Sequence, residues 1–166
     1  MAQPLANIHI HLVYSTRDRQ RIISDTVREP LHVYSATVLK AHRCHPVLIN
    51  SLEDDIHLLF DLGRMVAVSK AIAEVKAASS QWIKTQGADY SQFCWQGGYG
   101  AFAVDASNIE AVRSYIAGQS DNPRSRRSEG DYEFGARSEC GERFVDARVK
   151  TNPRALKGRD TVARGR

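Results

Sequence analysis

Cysteine is scarce in this sequence, and long apolar runs are absent from it. The 166 residues include three cysteines, Cys44, Cys94 and Cys140, at wide spacings and without a CxxC pair. This pattern gives no sign of a disulfide framework. The first residues, MAQPLANIHIH, contain no recognisable secretory leader, so we expect a reduced, cytoplasmic protein. No apolar run approaches the roughly 20 residues of a membrane-spanning helix, so we expect no membrane partner.

Charge is unevenly distributed along the chain. Residues 1–123 hold 11 basic and 12 acidic residues, whereas residues 124–166 hold 12 and 7. The second segment is rich in Arg, Gly and Ser and lacks a strand or helix periodicity. We therefore predict one domain over residues 1–122 and a basic, loosely structured tail over residues 123–166. The tail is either a solvated extension or an arm that binds nucleic-acid phosphates.

The chain up to residue 120 alternates between strand and helix patterns. Period-two alternation or short apolar runs predict strands in NIHIHLVYST, HPVLIN, DIHLLFDL and AFAVD. Helical spacing predicts helices in SDTVREPLHVYSATVLKAH, VAVSKAIAEVKAASSQWIKTQG and SNIEAVRSYIAGQ. In the last helix Ser107 is the expected N-cap and Glu110 completes a capping box. The order predicts a ferredoxin-like α+β fold, an antiparallel sheet with helices on one face plus an extra C-terminal helix.

Two pairs of polar residues carry the candidate chemistry. Asp55 and His57 are two residues apart on a predicted strand, so both project from one face. Together they could bind one cation, although an exposed sheet face often carries polar residues that bind nothing. Tyr115 and Gln119 are four residues apart and share one face of the last helix. A tyrosine can act as a covalent nucleophile, and an amide oxygen can ligate a hard divalent ion.

Five sequence blocks, in order, resemble the single-tyrosine HUH transposases of insertion sequences: HIHLVYSTRDRQ, INSLEDDIHLL, VKAASSQWI, FCWQGGYGAFAV and VRSYIAGQ. The resemblance implies that the last helix is catalytic and that Tyr115 attacks a single-stranded DNA phosphodiester, leaving a 5′-phosphotyrosine and a free 3′-hydroxyl. It implies His57 and Gln119 as ligands of Mg²⁺ or Mn²⁺, with cutting and rejoining that need no nucleotide cofactor. The implied partners are single-stranded DNA with hairpin ends and a second copy of the chain in a homodimer.

The sequence departs from the family motif at its first histidine. The motif reads histidine, hydrophobic residue, histidine, and Asp55 stands in the first position. Three interpretations stay open: Asp55 itself ligates the ion, the site has degraded to a DNA-binding relic, or His9 or His11 supplies the ligand. A second departure follows Gln119, where Pro123 stops the helix and the basic tail replaces the family's usual ending.

Basic side chains near the predicted site are candidates for DNA contact. We expect phosphate contacts from Arg17, Arg19, Arg21 and Lys76. The alternative function is a catalytically decayed or domesticated relative that only binds DNA or RNA hairpins, which Asp55 and the altered ending favour. A small-molecule or metal-sensing module of the same fold would not need Tyr115 and Gln119 in register, so the ordered blocks disfavour that class.

Overall fold

A four-stranded antiparallel sheet lies at the centre of the fold. The structure, a computed structural model, describes residues 6–120. Its strands are β1 (His9–Ser15), β2 (His45–Ser51), β3 (Asp55–Asp61) and β4 (Gly100–Val104), and its α-helices are α1 (Asp25–Ala41), α2 (Val68–Lys84) and α3 (Ile109–Ala117). The predicted tail over residues 123–166, including Pro123, lies outside the described residues.

The order of the strands across the sheet is β2-β3-β1-β4. This order confirms the predicted ferredoxin-like α+β plan, because β1 and β3 are neighbours at the centre and β2 and β4 form the edges. The pairing of β1 with β3 places Leu12 opposite Leu58 and Val13 opposite His57. Side chains that are directly opposite project from the same face of the sheet. The register therefore decides which polar residues of the two central strands meet.

One face of the sheet packs against α1 and α2. Alternate residues of β1 and β3 point to this face, as the sequence alternation predicts, and they join residues of both helices in the core: Ile10, Leu12, Tyr14, Leu31, Leu39, Ile56, Leu58, Phe60, Ile72 and Val75. Burial of such side chains stabilises a fold by roughly 25 cal/mol per Å² of apolar surface removed from water. The same alternation directs His11 and His57 to the opposite face.

Helix α3 lies against that opposite face. Asn50 of β2 sits across from His57, and its side-chain Nδ2 donates to the Ile116 carbonyl oxygen of α3 at 2.7 Å. Leu59, which projects from the same face as His57, is completely buried. The central strand β3 is consequently covered on both sides, and its polar residues lie between the sheet and a helix instead of facing open solvent.

The start of α3 differs from the sequence prediction. Ser107 is not its N-cap, because α3 begins at Ile109 after a short 3-10 turn. Asp105 caps that turn by accepting from the Ser107 backbone N–H at 2.9 Å and from the Ser107 hydroxyl at 2.6 Å. Glu110 accepts instead from Arg113 at 3.1 Å, so no capping box forms. Helices within the described part of the chain are too short or too polar to cross a bilayer.

Candidate active site

Two histidines from neighbouring strands meet under α3. His11 of β1 and His57 of β3 are diagonal neighbours, because Leu59 lies opposite His11 and Val13 lies opposite His57. A hydrogen bond of 3.0 Å joins His11 Nε2 and His57 Nδ1. The two rings are stacked, with centroids 5.3 Å apart and planes inclined by 24°. The pairing of β1 with β3 thus builds an imidazole pair that neither strand could form alone.

Tyr115 of α3 is positioned edge-on over this histidine pair. Its ring centroid is 6.2 Å from that of His11 and 6.2 Å from that of His57, with interplanar angles of 77° and 78°. The tyrosine is 38% exposed, whereas His57 is 1% exposed. The predicted nucleophile therefore lies at the boundary between the solvent and the two imidazoles.

Burial keeps both imidazoles neutral near pH 7. Loss of solvent lowers the pKa of His11 to about 4. The pKa of His57 falls to about 3, first because of burial and then because of the nearby charges of His11 and Arg19. A neutral imidazole offers a nitrogen lone pair to a cation, whereas an imidazolium repels one.

Gln119 follows Tyr115 by four residues and is also buried. The last helix does not include it as predicted, because α3 ends at Ala117 and Gln119 lies in the 3-10 turn Gly118–Ser120. Its side chain is 5% exposed, and among residues 6–120 its Nε2 has no hydrogen-bond partner. Rotation of the amide would put its oxygen at that buried position, where a cation could accept it as a ligand. The hydrogen bond from Asn50 to the Ile116 carbonyl fixes the helix between Tyr115 and Gln119. The sequence does not mark Asn50 as part of the site, because it shows only a polar residue in an otherwise apolar strand.

Asp55 and His9 have partners away from the histidine pair. Asp55 is buried at the start of β3, and its Oδ1 accepts from the Leu52 backbone N–H at 3.3 Å, across the β2–β3 turn. His9 Nδ1 is 2.5 Å from Asp61 Oδ1. Of the two β1 histidines considered as substitute ligands, the structure brings only His11 into contact with His57.

The basic loop after β1 is largely exposed and paired with the β2–β3 turn. Arg19 lies 3.8 Å from Asp54, and Arg21 lies 3.4 Å from Glu53. The side chains of Arg19 and Arg21 are 48% and 65% exposed, so both ion pairs face water and are weak. Arg17, the third predicted DNA contact of this loop, is partly buried. Because Arg19 lowers the pKa of His57, the loop carries positive charge close to the candidate site.

Lys76 occupies a different environment from the one expected of a DNA contact. It is 1% exposed, and its ammonium donates to the carbonyl oxygens of Gln96 at 2.6 Å and Gly98 at 3.0 Å. Nearby, Ser79 accepts from the indole N–H of Trp95 at 3.0 Å. These α2 residues hold the aromatic and glycine-rich loop before β4. A phosphate cannot reach the Lys76 ammonium in this arrangement, so we leave Lys76 out of the proposed DNA surface.

The imidazole pair under α3 supplies two nitrogen atoms that could ligate a cation. Within residues 6–120 no three His, Cys, Asp or Glu side chains converge to form a ready metal site. The imidazole pair does converge, and Gln119, with its buried amide, lies in the 3-10 turn Gly118–Ser120 that follows α3. Mg²⁺ usually keeps several waters and takes few protein ligands plus substrate phosphates. An incomplete protein set that includes one buried, unsatisfied amide is therefore compatible with an ion held jointly by protein and DNA.

Comparison with known proteins identifies the family. Residues 4–119 match the family described as Transposase IS200 like. The chain belongs to the IS200-like transposase family. This confirms the resemblance to single-tyrosine HUH transposases. No match was found among curated proteins.

Two solved structures share the fold of this IS200-like transposase. One is a candidate transposase from Deinococcus radiodurans R1, with a TM-score of 0.57, 17% identity, and coverage of 72% of this chain and 98% of that one. Another is a REP-associated tyrosine transposase bound to a REP hairpin, with a TM-score of 0.51, 14% identity, and coverage of 76% and 75%. At these identities the likeness shows the fold. Family membership indicates an enzyme with a transposase-type role in DNA processing.

We predict that Lys76 makes the stability of this transposase depend on pH. Burial lowers the pKa of Lys76 to about 7, whereas an unfolded lysine titrates near ~10.4. Between these values the unfolded chain binds more protons, so this residue's contribution to the free energy of unfolding increases as pH rises.

The measurement is urea unfolding of the wild type and of Lys76→Met at several pH values from 7 to 10. The free energy of unfolding of the wild type minus that of Lys76→Met should increase over this range. Lys40→Met, which removes an exposed lysine of α1, is the control for loss of a surface charge. A wild-type minus Lys76→Met difference that stays flat or decreases would contradict the prediction.

Proposed function

We propose that this protein cleaves and rejoins single-stranded DNA through a covalent link to Tyr115. The observation that supports the proposal most strongly is the placement of Tyr115. It is partly exposed, and its ring lies edge-on to the partly buried His11 ring and the buried His57 ring, at 6.2 Å from each. Tyr115, His11 and His57 come from three different elements, α3, β1 and β3, and their rings lie together. Such convergence is what a phosphoryl-transfer site requires, since its catalysis consists mainly of positioning and electrostatics.

The proposed reaction exchanges one phosphodiester for another. The Tyr115 hydroxyl oxygen forms a bond to phosphorus as the bond from phosphorus to the DNA 3′-oxygen breaks. The phenol loses its proton and the departing 3′-oxygen gains one, which leaves a 5′-phosphotyrosine and a free 3′-hydroxyl. Attack by a 3′-hydroxyl on the phosphotyrosine reverses the step and rejoins DNA. Neither direction consumes a nucleotide.

His57 and Gln119 are the residues proposed to hold a divalent ion, Mg²⁺ or Mn²⁺. Such an ion, when bound, polarises the scissile phosphate and stabilises the charge that develops on it. His57 is suited to this role because it is neutral, buried and fixed by its hydrogen bond to His11. Gln119 contributes a buried amide from the 3-10 turn that directly follows α3, four residues after Tyr115.

The basic loop after β1 is proposed to bind DNA phosphates. Arg17, Arg19 and Arg21 lie at the end of the strand that carries His11, and Arg19 is close enough to affect His57 electrostatically. The REP-associated relative of similar fold is bound to a REP hairpin, which supports single-stranded DNA with hairpin ends as the partner class. We also propose a homodimer, because β4 is an edge strand that could pair with its copy.

A hairpin-binding protein without nuclease activity is the second candidate function. Asp55 favours it, because the first histidine of the family motif is replaced by a residue that contacts the Leu52 backbone N–H of the β2–β3 turn. Such a protein would retain the fold and the basic loop but form no covalent DNA adduct.

A cleavage assay distinguishes the two candidate functions. Labelled hairpin DNA from the gene's own flanks is incubated with the full chain and Mg²⁺ or Mn²⁺. We expect a protein-linked DNA product that Tyr115→Phe reduces on the order of 10³-fold or more, because the attacking oxygen is lost. The matched control is Tyr34→Phe, which removes the hydroxyl of a tyrosine whose ring stacks on Trp82 between α1 and α2.

Each outcome of that assay has a distinct meaning. Loss of the adduct in Tyr115→Phe but not in Tyr34→Phe supports the nuclease. Hairpin binding without any adduct, in both the wild type and Asp55→His, supports the binding protein. Activity that appears only in Asp55→His identifies a decayed transposase.

The basic loop yields a separate prediction about salt dependence. Replacing Arg19 with Ala should weaken single-stranded DNA binding and reduce the slope of log K against log salt by about 0.7 for each phosphate that the variant no longer neutralises. Fluorescence anisotropy over a range of salt concentrations measures both quantities. Lys40→Ala removes an exposed charge from α1 on the other side of the sheet and should leave the slope unchanged. Equal slopes for the wild type and Arg19→Ala would exclude Arg19 from the DNA surface.

A further inference from the structure

The contact between His11 and His57 is the feature that the family motif does not explain. In that motif both histidines lie on one strand, two residues apart. Here the imidazole beside His57 belongs to His11 of the neighbouring strand. The β1–β3 register makes the two residues diagonal neighbours. His57 is buried and His11 is partly buried, so the stacked pair is not an incidental surface contact.

The spacing of the two ring nitrogens suits a shared cation as well as a hydrogen bond. Ligands at about 2.1 Å from an ion and at right angles to each other are about 3.0 Å apart. His11 Nε2 and His57 Nδ1 are separated by 3.0 Å. For both nitrogens to ligate, the hydrogen that one ring donates to the other must move to the second nitrogen of its own ring. That change is a shift of tautomer with no net loss of a proton.

Asp55 contacts the turn between β2 and β3. Both its backbone oxygen and its Oδ1 accept from the Leu52 N–H, at 3.1 and 3.3 Å. These contacts close the tight connection between β2 and β3. Asp55 lies opposite Ser15, at the end of β1, whereas His11 lies four pairs further along the β1–β3 ladder, opposite Leu59. One carboxylate oxygen of Asp55 therefore contacts the turn, whereas the His11 ring contacts His57.

We propose that His11 and His57 together form a cross-strand histidine pair that binds the divalent ion, in place of two histidines on one strand. The proposal rests on the proposed function, since it names the ligands of that site. It makes His11, and not Asp55, the residue that compensates for the altered motif. It predicts that Asp55 can lose its charge without loss of metal binding, provided that the turn is kept.

Mn²⁺ binding by the full chain without DNA tests the proposal independently of cleavage. Electron paramagnetic resonance of free Mn²⁺ gives the affinity of the wild type, His11→Gln, Asp55→Asn and a control, His32→Gln. His32 is a partly buried histidine that bonds to Ser51 outside the site. We expect His11→Gln to weaken Mn²⁺ binding by about 10- to 100-fold, the range typical of important groups at metal sites. Asp55→Asn and His32→Gln should stay within about twofold of the wild type, because neither replaced side chain belongs to the cross-strand pair.

A second variant keeps the test valid if His11→Gln does not fold. In His11→Cys a thiolate replaces the imidazole, and the thiophilic ion Cd²⁺ replaces Mn²⁺. We expect a Cd–thiolate charge-transfer absorption beyond that of the wild type, which has its own three cysteines. His32→Cys is the matched control and should add none. An absorption that is no stronger in His11→Cys than in His32→Cys would place position 11 outside the coordination sphere.

The outcomes separate this proposal from the proposed function. Loss of Mn²⁺ affinity in Asp55→Asn but not in His11→Gln overturns the cross-strand pair, and so does a wild type that binds no Mn²⁺. If His11→Gln retains Mn²⁺ and the wild type forms a DNA adduct, the proposed function stands and this inference fails. If His11→Gln loses Mn²⁺ and the wild type forms no adduct, the inference stands and the nuclease fails.

Discussion

The antiparallel register of β1 and β3 is the constraint on which the rest of the site depends. It sets Val13 opposite His57 and thereby brings the His11 ring to the His57 ring. A shift by one residue would turn His11 into the core and Leu12 out of it, because successive strand residues point to opposite faces. The apolar core of the other face resists such a shift. Core packing therefore fixes the geometry of the polar site on the reverse side of the same strands.

Helix α3 turns this polar face into an enclosed site. It covers the histidines and lowers their pKa values by burial, yet it leaves Tyr115 partly in solvent. The site therefore has one side that is shielded from water, which favours neutral ligands. Its other side is exposed to solvent, where a DNA strand can approach. Electrostatic interactions are stronger in the dry part because water screens them less. The positive charge of Arg19 lies beside the same site and adds attraction for phosphate.

The sequence was sufficient for the fold, but not for the contacts between elements. The period-two alternation correctly predicted which residues of β1 and β3 face the core. The order of strands and helices predicted the topology of the sheet. The contact of His11 with His57 could not be derived, since it depends on a register between strands more than 40 residues apart in sequence. Lys76 was mistaken for a surface charge because helical spacing does not reveal that loop carbonyls approach its ammonium. Ser107 was mistaken for a cap because the sequence does not reveal that Asp105, two residues earlier, accepts from the Ser107 N–H that a capping box would direct to Glu110.

The position of a bound ion tests the central claim most directly. Crystals of the full chain grown with Mn²⁺ allow the ion to be located by its anomalous scattering. The cross-strand pair predicts a peak within bonding distance of both His11 Nε2 and His57 Nδ1, about 2.1 Å from each nitrogen. A peak bonded to Asp55 and His57, with His11 outside the coordination sphere, would contradict it. In that case Asp55 would be the working substitute for the missing histidine.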